Sequence, residues 1–215
     1  MDIFDYNLER YKYLLDMLDQ HQIPESYPEE ITSNFSVASF QLRERIIPKQ
    51  GFALLTMKWL RELAVWIGDR TCVELMAGCG SLSYGLQQLG VNIHATDNFT
   101  WGTNGMVTCS WNVERNYWTS IENIDCVDAV EKYSSVDLYI MSWAYMDDTA
   151  YRTLLKMREV NPNAMMVFIG EDYGGCTADD NFFETLIDVE DETFAIVKCK
   201  FVSFPTVHDY PRLIK

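Results

Sequence analysis

The segment Thr71-Cys-Val-Glu-Leu-Met-Ala-Gly-Cys-Gly-Ser-Leu-Ser-Tyr-Gly85 decides the fold of this chain. Its first part, up to Met76, is apolar and compatible with a β-strand apart from one acid, Glu74. Gly78 and Gly80 then break the strand, and apolar residues return with helical spacing. The segment therefore predicts a strand, a glycine turn and a helix.

The glycine turn and the acid that follows it indicate a ligand. Because glycine has no Cβ, a ligand can lie against bare backbone, and the free N–H groups of the helix start face its polar atoms. The next apolar run, residues 91–95, leads to Asp97, about twenty residues after the glycines. A carboxylate at the tip of the neighbouring strand can accept both hydroxyl hydrogens of a ribose. The sequence thus predicts a cofactor that contains a nucleoside.

The composition limits the class of protein. A chain of 215 residues suits one α/β domain with a modest extension. It has no apolar run of about eighteen residues and no signal-peptide pattern at its start, so we expect a cytoplasmic protein without a membrane segment. The net charge of −15 makes this an acidic protein that repels phosphate backbones, so nucleic acid is not expected as a partner. The six cysteines form no C-x-x-C pair, which favours free thiols over a metal site.

The glycine spacing differs from the dinucleotide fingerprint G-x-G-x-x-G, because Ser83 stands at its third glycine position. The stretch instead resembles motif I of the class I S-adenosylmethionine-dependent methyltransferases, acid-x-glycine-x-glycine-x-glycine. Glu74, Gly78 and Gly80 are in register with that motif, and Met76 occupies its first glycine position. An ordinary strand-to-helix turn of an α/β domain is the alternative interpretation of the glycines.

The resemblance covers roughly residues 48–205 and implies a fold. That fold is α/β, with a doubly wound, mostly parallel seven-stranded sheet, the Rossmann-like methyltransferase fold. Residues 1–47 are predicted to form an N-terminal helical extension, and residues 48–215 to form one compact S-adenosylmethionine-binding domain. The apolar segments predict a third strand over residues 121–130, an edge strand over 193–204 and a closing antiparallel strand after Pro205.

The resemblance also implies which residues bind the cofactor. Glu74 would orient the methionine end, the glycines would allow close backbone approach, and Asp97 would hold the ribose. Asp128, followed by a small residue at the predicted tip of the third strand, would hold the adenine amino group, and a helix N-cap is the alternative role for it. The implied set is Glu74, Met76, Gly78, Gly80, Asp97, Asn98, Asp128, Ala129 and Ser142.

A substrate wall is predicted where the fourth strand ends, in Ser142-Trp143-Ala144-Tyr145. Family members that methylate amino nitrogens often have an Asn or Asp, two prolines and an aromatic residue here. This chain keeps only the aromatic residue, so the resemblance does not support methylation of exocyclic base amines. Trp143 and Tyr145 are expected to line the substrate pocket, with Tyr145 stacking on the substrate or donating a hydrogen bond to it. Trp101 is a further candidate for the pocket wall, and core packing is the alternative for the tryptophans.

Two acids after the fifth strand, Glu171 and Asp172, are the candidates for a general base or for an anchor of a cationic substrate. Solvated loop acids are the alternative interpretation of both. The pair His208-Asp209 is a weaker candidate for a base.

The function that the resemblance implies is in-line methyl transfer from S-adenosylmethionine to a small molecule or peptide nucleophile. Two alternatives stay open at this stage. One is a catalytically silent protein that binds S-adenosylmethionine, and the other is an NAD-dependent oxidoreductase. The acceptor atom and the oligomeric state are not predicted.

Overall fold

The computed structural model describes residues 9–100 and 116–215. The described strands are β1 (Cys72–Leu75), β2 (Ile93–Asp97), β3 (Ile121–Asn123), β4 (Leu138–Ser142), β5 (Met165–Gly170) and β6 (Tyr210–Ile214). The described helices are α1 (Lys12–Asp19), α2 (Glu29–Thr32), α3 (Val37–Gln50), α4 (Met57–Ile67), α5 (Ser81–Gln88), α6 (Cys126–Lys132), α7 (Thr149–Val160), α8 (Asp180–Thr185) and α9 (Phe194–Lys200).

The strands form one sheet in the order β3-β2-β1-β4-β5-β6. All neighbours are parallel except β5 and β6, which are antiparallel. The predicted doubly wound, mostly parallel α/β sheet is therefore confirmed. The chain runs outward from β1 to β3 and then returns to the other side of β1, so the strand order reverses between β1 and β4. Ligands of such sheets bind at this switch point, beyond the carboxyl ends of the strands.

The prediction of seven strands is not confirmed, because the described residues form a six-stranded sheet. Next to β6, Asp188 makes only an isolated antiparallel bridge to Ile214. The predicted edge strand over residues 193–204 is wrong, since that segment contains helix α9. The reason is tertiary packing at helical spacing: Phe194 contacts the ring of Trp66 in α4. Three residues later, the carbonyl of Val197 accepts a hydrogen bond from the indole of Trp59.

The third strand is shorter than predicted, because β3 ends at Asn123 and α6 begins at Cys126. Asp125 ends the extended segment by capping the helix, where its carboxylate accepts the N–H of Val127 at 3.0 Å. Ala129 lies inside this helix and is fully buried. The prediction of a strand over residues 121–130 is therefore wrong beyond Asn123.

The core is divided by the sheet into two clusters. Successive residues of β1 point to opposite faces, so Cys72 belongs to one cluster and Val73 to the other. The first cluster also contains Leu14 of α1 and Ile46 of α3, so the N-terminal helices bury their apolar faces with this side of the sheet. Helix α3 continues through the predicted boundary between residues 47 and 48. No helix in the described ranges is long and apolar enough to cross a membrane.

Candidate cofactor site

The turn after β1 has an unusual backbone. Met76, Gly78 and Gly80 have φ values of 56°, 58° and 76°, so alternate residues adopt the left-handed conformation. Glycine reaches this region without steric cost, whereas a residue with a Cβ is strained there. Met76 is therefore a methionine in a conformation that favours glycine, at the position where motif I has a glycine.

The two glycines face different surroundings. An ideal Cβ built on Gly78 would meet no described atom within 4 Å, whereas one built on Gly80 would lie 3.0 Å from Cγ2 of Thr119 and 3.1 Å from Cδ1 of Ile121. Gly80 is thus packed against the segment that leads into β3. Gly78 leaves an open cradle of bare backbone beside the switch point, which is the shape that a bound cofactor requires.

Asp97, the last residue of β2, accepts a hydrogen bond from this turn. Its side chain is buried, with 5% of the residue exposed. One carboxylate oxygen accepts the N–H of Gly78 at 2.8 Å, and the other accepts the N–H of Phe99 at 2.6 Å. The structure therefore brings together two features predicted from the sequence, the glycine turn and the acid at the tip of the second strand.

Glu74 is buried beneath the turn, with 2% of the residue exposed. Its carboxylate accepts hydrogen bonds from the backbone N–H of Ser83, at 3.0 Å, and from the Ser83 hydroxyl. The carboxylate therefore accepts a hydrogen bond from one of the free N–H groups in the first turn of α5. The N-cap of this helix, Gly80, has no side chain that could do so. Burial raises the pKa of Glu74 to about 7 despite these bonds, and the charge of Asp97 acts in the same direction.

The residues predicted to hold the adenine lie just after β3, in α6. Asn98 donates from Nδ2 to a carboxylate oxygen of Asp125 at 3.2 Å. Asp128 lies in the first turn of α6 and is exposed, and Ala129 belongs to the core. The acid that the structure places beside Asn98 is thus Asp125, which the sequence analysis missed. An aspartate just before a short apolar-periodic segment is a helix N-cap signal, and this signal would have found it.

Trp143, directly after Ser142 at the end of β4, is also left-handed, with φ of 56°. Its backbone N–H donates to the carbonyl of Ile169 in β5 at 2.8 Å. Its ring stacks on Phe52 with 5.0 Å between centroids and 21° between planes. Its indole N–H donates to Oδ2 of Asp209 at 3.0 Å. The side chain of Trp143 thus bridges the N-terminal part of the chain and the segment before β6.

Tyr145 is 44% exposed. Partial burial, together with the charges of Asp97 and Asp147, raises the pKa of its phenol to about 12. The phenol is therefore protonated at neutral pH, where it can donate a hydrogen bond but does not act as a base. Tyr145 follows the carboxyl end of β4, which is parallel to β1, so it lies at the same edge of the sheet as the glycine turn. Trp101, the third predicted aromatic wall, lies outside the described residues.

The two acids after β5 are engaged in structural contacts. Glu171 accepts the N–H of Cys176 at 2.8 Å and the N–H of His208 at 3.1 Å. Burial raises the pKa of Glu171, but the hydrogen bonds and other interactions with His208 and Cys176 together outweigh it, so the pKa is lowered overall. Such contacts favour a role in holding the loop over proton transfer.

Asp172 is likewise held by protein groups. It accepts hydrogen bonds from the phenol of Tyr210 at 2.8 Å and from the guanidinium of Arg212 at 3.0 Å. Burial raises its pKa, but the hydrogen bonds and the charge of Arg212 outweigh this, so the pKa of Asp172 is also lowered. These contacts hold Asp172 against β6, and the guanidinium of Arg212 is a cation that already pairs with it.

Comparisons with known proteins place methyltransferases among the similar solved structures. No protein-family model and no curated protein matches the sequence. The mitomycin 7-O-methyltransferase MmcR is 12% identical with a TM-score of 0.48, over 82% of this chain and 57% of that one. Human N-acetylserotonin methyltransferase in complex with SAM is 13% identical with a TM-score of 0.47, over 95% of this chain and 66% of that one.

The CcbJ methyltransferase from Streptomyces caelestis is a third similar structure, at 14% identity and a TM-score of 0.36, over 53% of this chain and 49% of that one. The chain thus spans about half to two thirds of the length of these three proteins. At these identities and scores the names describe the activities of those proteins. The functional proposal for this chain rests on its own residues.

Proposed function

We propose that this protein is an S-adenosylmethionine-dependent methyltransferase that acts on a small molecule or peptide nucleophile. The observation that supports this most directly is the left-handed glycine turn, which leaves bare backbone at Gly78 and is tied to Asp97 at the switch point of the sheet. Close backbone approach next to a strand-end carboxylate is what a ligand containing a nucleoside needs.

The residues fit such a cofactor as follows. The backbone of Gly78 would lie against the cofactor, and Asp97 would hold the ribose hydroxyls. Asn98 and Asp125 would face the adenine, so Asp125 takes the role that the sequence analysis gave to Asp128. When bound, S-adenosylmethionine supplies an electrophilic methyl group on a sulfonium. The protein's contribution would be alignment of the nucleophile with that methyl group in a site shielded from water, which supplies most of the acceleration.

The first test is the thermal shift of the purified protein with S-adenosylmethionine, S-adenosylhomocysteine, NAD and NADP in parallel. A ligand that binds only the folded state stabilises it by about 2.7 kcal/mol at a hundredfold excess over Kd. For a chain of this size that corresponds to a rise in Tm of roughly 5–10 °C. We expect this rise with the two adenosyl-sulfur ligands alone. A rise with NAD, or no rise with any ligand, would contradict the proposal.

Replacement of two acids that are close in sequence tests the adenine side of the site. We expect Asp125→Ala to weaken the binding of S-adenosylhomocysteine about fivefold to tenfold, because one hydrogen bond to the ligand and the partner of Asn98 are lost. Asp128→Ala is the matched control, and it should leave the Kd within about twofold because its carboxylate is exposed on α6. Titration calorimetry measures both affinities.

Loss of the helix cap must be separated from loss of the ligand contact. Asp125→Asn keeps an N-cap oxygen but removes the charge, so it should preserve the free energy of unfolding better than Asp125→Ala. Equal affinities for the Asp125→Ala and Asp128→Ala variants would remove Asp125 from the proposed site.

A further inference from the structure

Asp209 is a buried carboxyl group that the proposed cofactor site does not use. It is 4% exposed, and its Oδ1 atom has no hydrogen-bond partner among residues 9–100 and 116–215. Its other oxygen accepts the indole N–H of Trp143. A buried acceptor without a hydrogen-bond partner destabilises the fold, so such an atom in a folded protein requires an explanation.

The fold places Asp209 at the edge of the sheet where the candidate site lies. Strand β6 is antiparallel to β5, and Tyr210 pairs with Gly170, the last residue of β5. Asp209, one residue before β6, is therefore next to the carboxyl end of β5. Trp143 joins it to the carboxyl end of β4, and the switch point is between β4 and β1. A substrate that enters beside the cofactor would meet this edge.

The surroundings of Asp209 suit a cation. Glu171, directly after β5, carries a second negative charge that acts on Asp209. Trp143, whose indole N–H donates to the carboxyl group, stacks on Phe52, and Tyr145 follows two residues after Trp143 and is 44% exposed. Aromatic faces attract ammonium groups, and the net charge of −15 attracts cations over a longer range.

Asp209 is also suited to accept a proton. Burial raises its pKa above the ordinary value, and the charge of Glu171 acts in the same direction, whereas the nearby hydroxyl of Ser203 and the indole N–H of Trp143 lower it. The Ser203 hydroxyl itself donates to the backbone carbonyl of Asp209 at 2.8 Å. A carboxylate whose pKa is raised is a stronger base than one in solvent.

We propose that Asp209 binds the methyl acceptor of the reaction through Oδ1. This acceptor is an aliphatic amine that is cationic in solution and whose own structure includes an aromatic ring next to the amine. This inference rests on the proposed methyl transfer and assigns its substrate class. It also accounts for the unpaired oxygen, because the ammonium N–H would be its partner.

The proposed methyl transfer to the amine balances in protons and electrons. The ammonium group gives one proton to the Asp209 carboxylate and becomes a neutral amine. The nitrogen lone pair then forms a bond to the methyl carbon while the carbon–sulfur bond breaks, and that electron pair stays on sulfur. The product is a methylated ammonium ion, and the proton on Asp209 leaves to solvent when the product departs.

The test uses a simple pair of probes with the full chain saturated by S-adenosylhomocysteine. Benzylamine is an aromatic ammonium at neutral pH, and benzyl alcohol is its neutral analogue of similar shape. We expect benzylamine to bind at least about tenfold more tightly than benzyl alcohol, as measured by ligand-observed NMR titration at millimolar concentrations. In Asp209→Asn, which keeps an acceptor for Trp143, this preference should fall below about twofold while the affinity for S-adenosylhomocysteine is unchanged.

Two further variants make the result specific. Asp147→Asn removes an exposed acid from the segment after β4 and should keep the amine preference, which excludes a general effect of charge. Trp143→Phe keeps a ring but removes the N–H that holds Asp209, so the preference should be reduced even if Asp209→Asn folds poorly.

The outcomes separate this inference from the proposed function. Failure of the wild-type protein to bind S-adenosylhomocysteine would overturn the proposed cofactor, and this inference with it. Binding of S-adenosylhomocysteine with no binding of benzylamine, or with equal binding of both probes, would overturn the role of Asp209 and leave the cofactor proposal intact. An amine preference that persists in Asp209→Asn would also overturn it.

Discussion

Replacing Glu74 with glutamine should stabilise the protein relative to wild type, and this advantage should grow by about 2 kcal/mol between pH 5 and pH 8. The carboxyl group is buried under the glycine turn, and burial raises its pKa from the ordinary 4.5 to about 7. The folded protein therefore binds this proton more tightly than the unfolded chain does. The contribution of Glu74 to stability must then fall as the pH rises from about 4.5 through about 7 and stay level above that window.

Glutamine has no such titration, and its amide oxygen can still accept a hydrogen bond from Ser83. The groups that act on Glu74 are the N–H and hydroxyl of Ser83 from α5 and the charge of Asp97 from β2, and both sets remain in the variant. The gain in stability should come with weaker binding of S-adenosylhomocysteine if Glu74 also orients the methionine end, as the resemblance implies. Residues that form a binding site often lower the stability of the folded protein.

Urea denaturation of both proteins at pH 5, 6, 7 and 8 measures the difference directly, because all other titrating groups are common to both chains. Glu159→Gln is the matched control, since Glu159 is exposed and pairs with Lys156 three residues away. We expect its curve to run parallel to that of the wild type. A parallel curve for Glu74→Gln as well would mean that the buried carboxyl group does not titrate in this window.

The sequence predicted the centre of the molecule well, and the reason is local. An apolar run that ends in alternating glycines can form little other than a strand and a tight turn, and Met76 takes a left-handed conformation in that turn. The parallel strands β1, β2, β4 and β5 are short apolar runs separated by helical segments. Such alternation specifies a doubly wound sheet.

The segments that were predicted wrongly are those with two plausible local structures. Residues 193–204 alternate in polarity, but Phe194 and Val197 also have helical spacing, and the tryptophans of α4 select the helix. After β3, the capping aspartate Asp125 ends the strand earlier than the apolar pattern indicates. In both segments the residues have some propensity for a strand. A tertiary contact in the first and a helix cap in the second outweigh this propensity.

The contact of Trp143 with Asp209 illustrates what a single sequence does not reveal. The two residues are 66 positions apart in the chain and meet only because β6 inserts antiparallel next to β5. The sequence placed a weak base candidate at residues 208–209, but its burial and its unpaired oxygen depend on the completed sheet. Side chains that converge from different strand ends are the part of a site that pattern analysis alone does not assemble.

Asp97→Ala should weaken the binding of S-adenosylhomocysteine by at least about tenfold, because charge-assisted hydrogen bonds are worth roughly 1.5–3 kcal/mol. Asp97 would contribute in two ways, by accepting hydrogens from the ribose and by holding the N–H of Gly78, which shapes the cradle. The second contribution also affects the free protein. We therefore expect the variant to lose part of its stability without ligand, since the partly buried N–H groups of Gly78 and Phe99 lose their acceptor.

Calorimetric titration and urea denaturation on the same samples distinguish the two contributions. Asp97→Asn keeps an acceptor for one of the two N–H groups, so it should recover part of the stability of the free protein while binding the ligand weakly, because the carboxylate charge is missing. Asp147→Asn is the control for charge, since it removes an exposed acid from the same edge and should leave the Kd within about twofold. If Asp97→Ala binds S-adenosylhomocysteine as tightly as the wild type, Asp97 does not belong to the cofactor site. The glycine turn would then have to bind its ligand without a strand-end carboxylate, which would remove the main reason for expecting a ribose there.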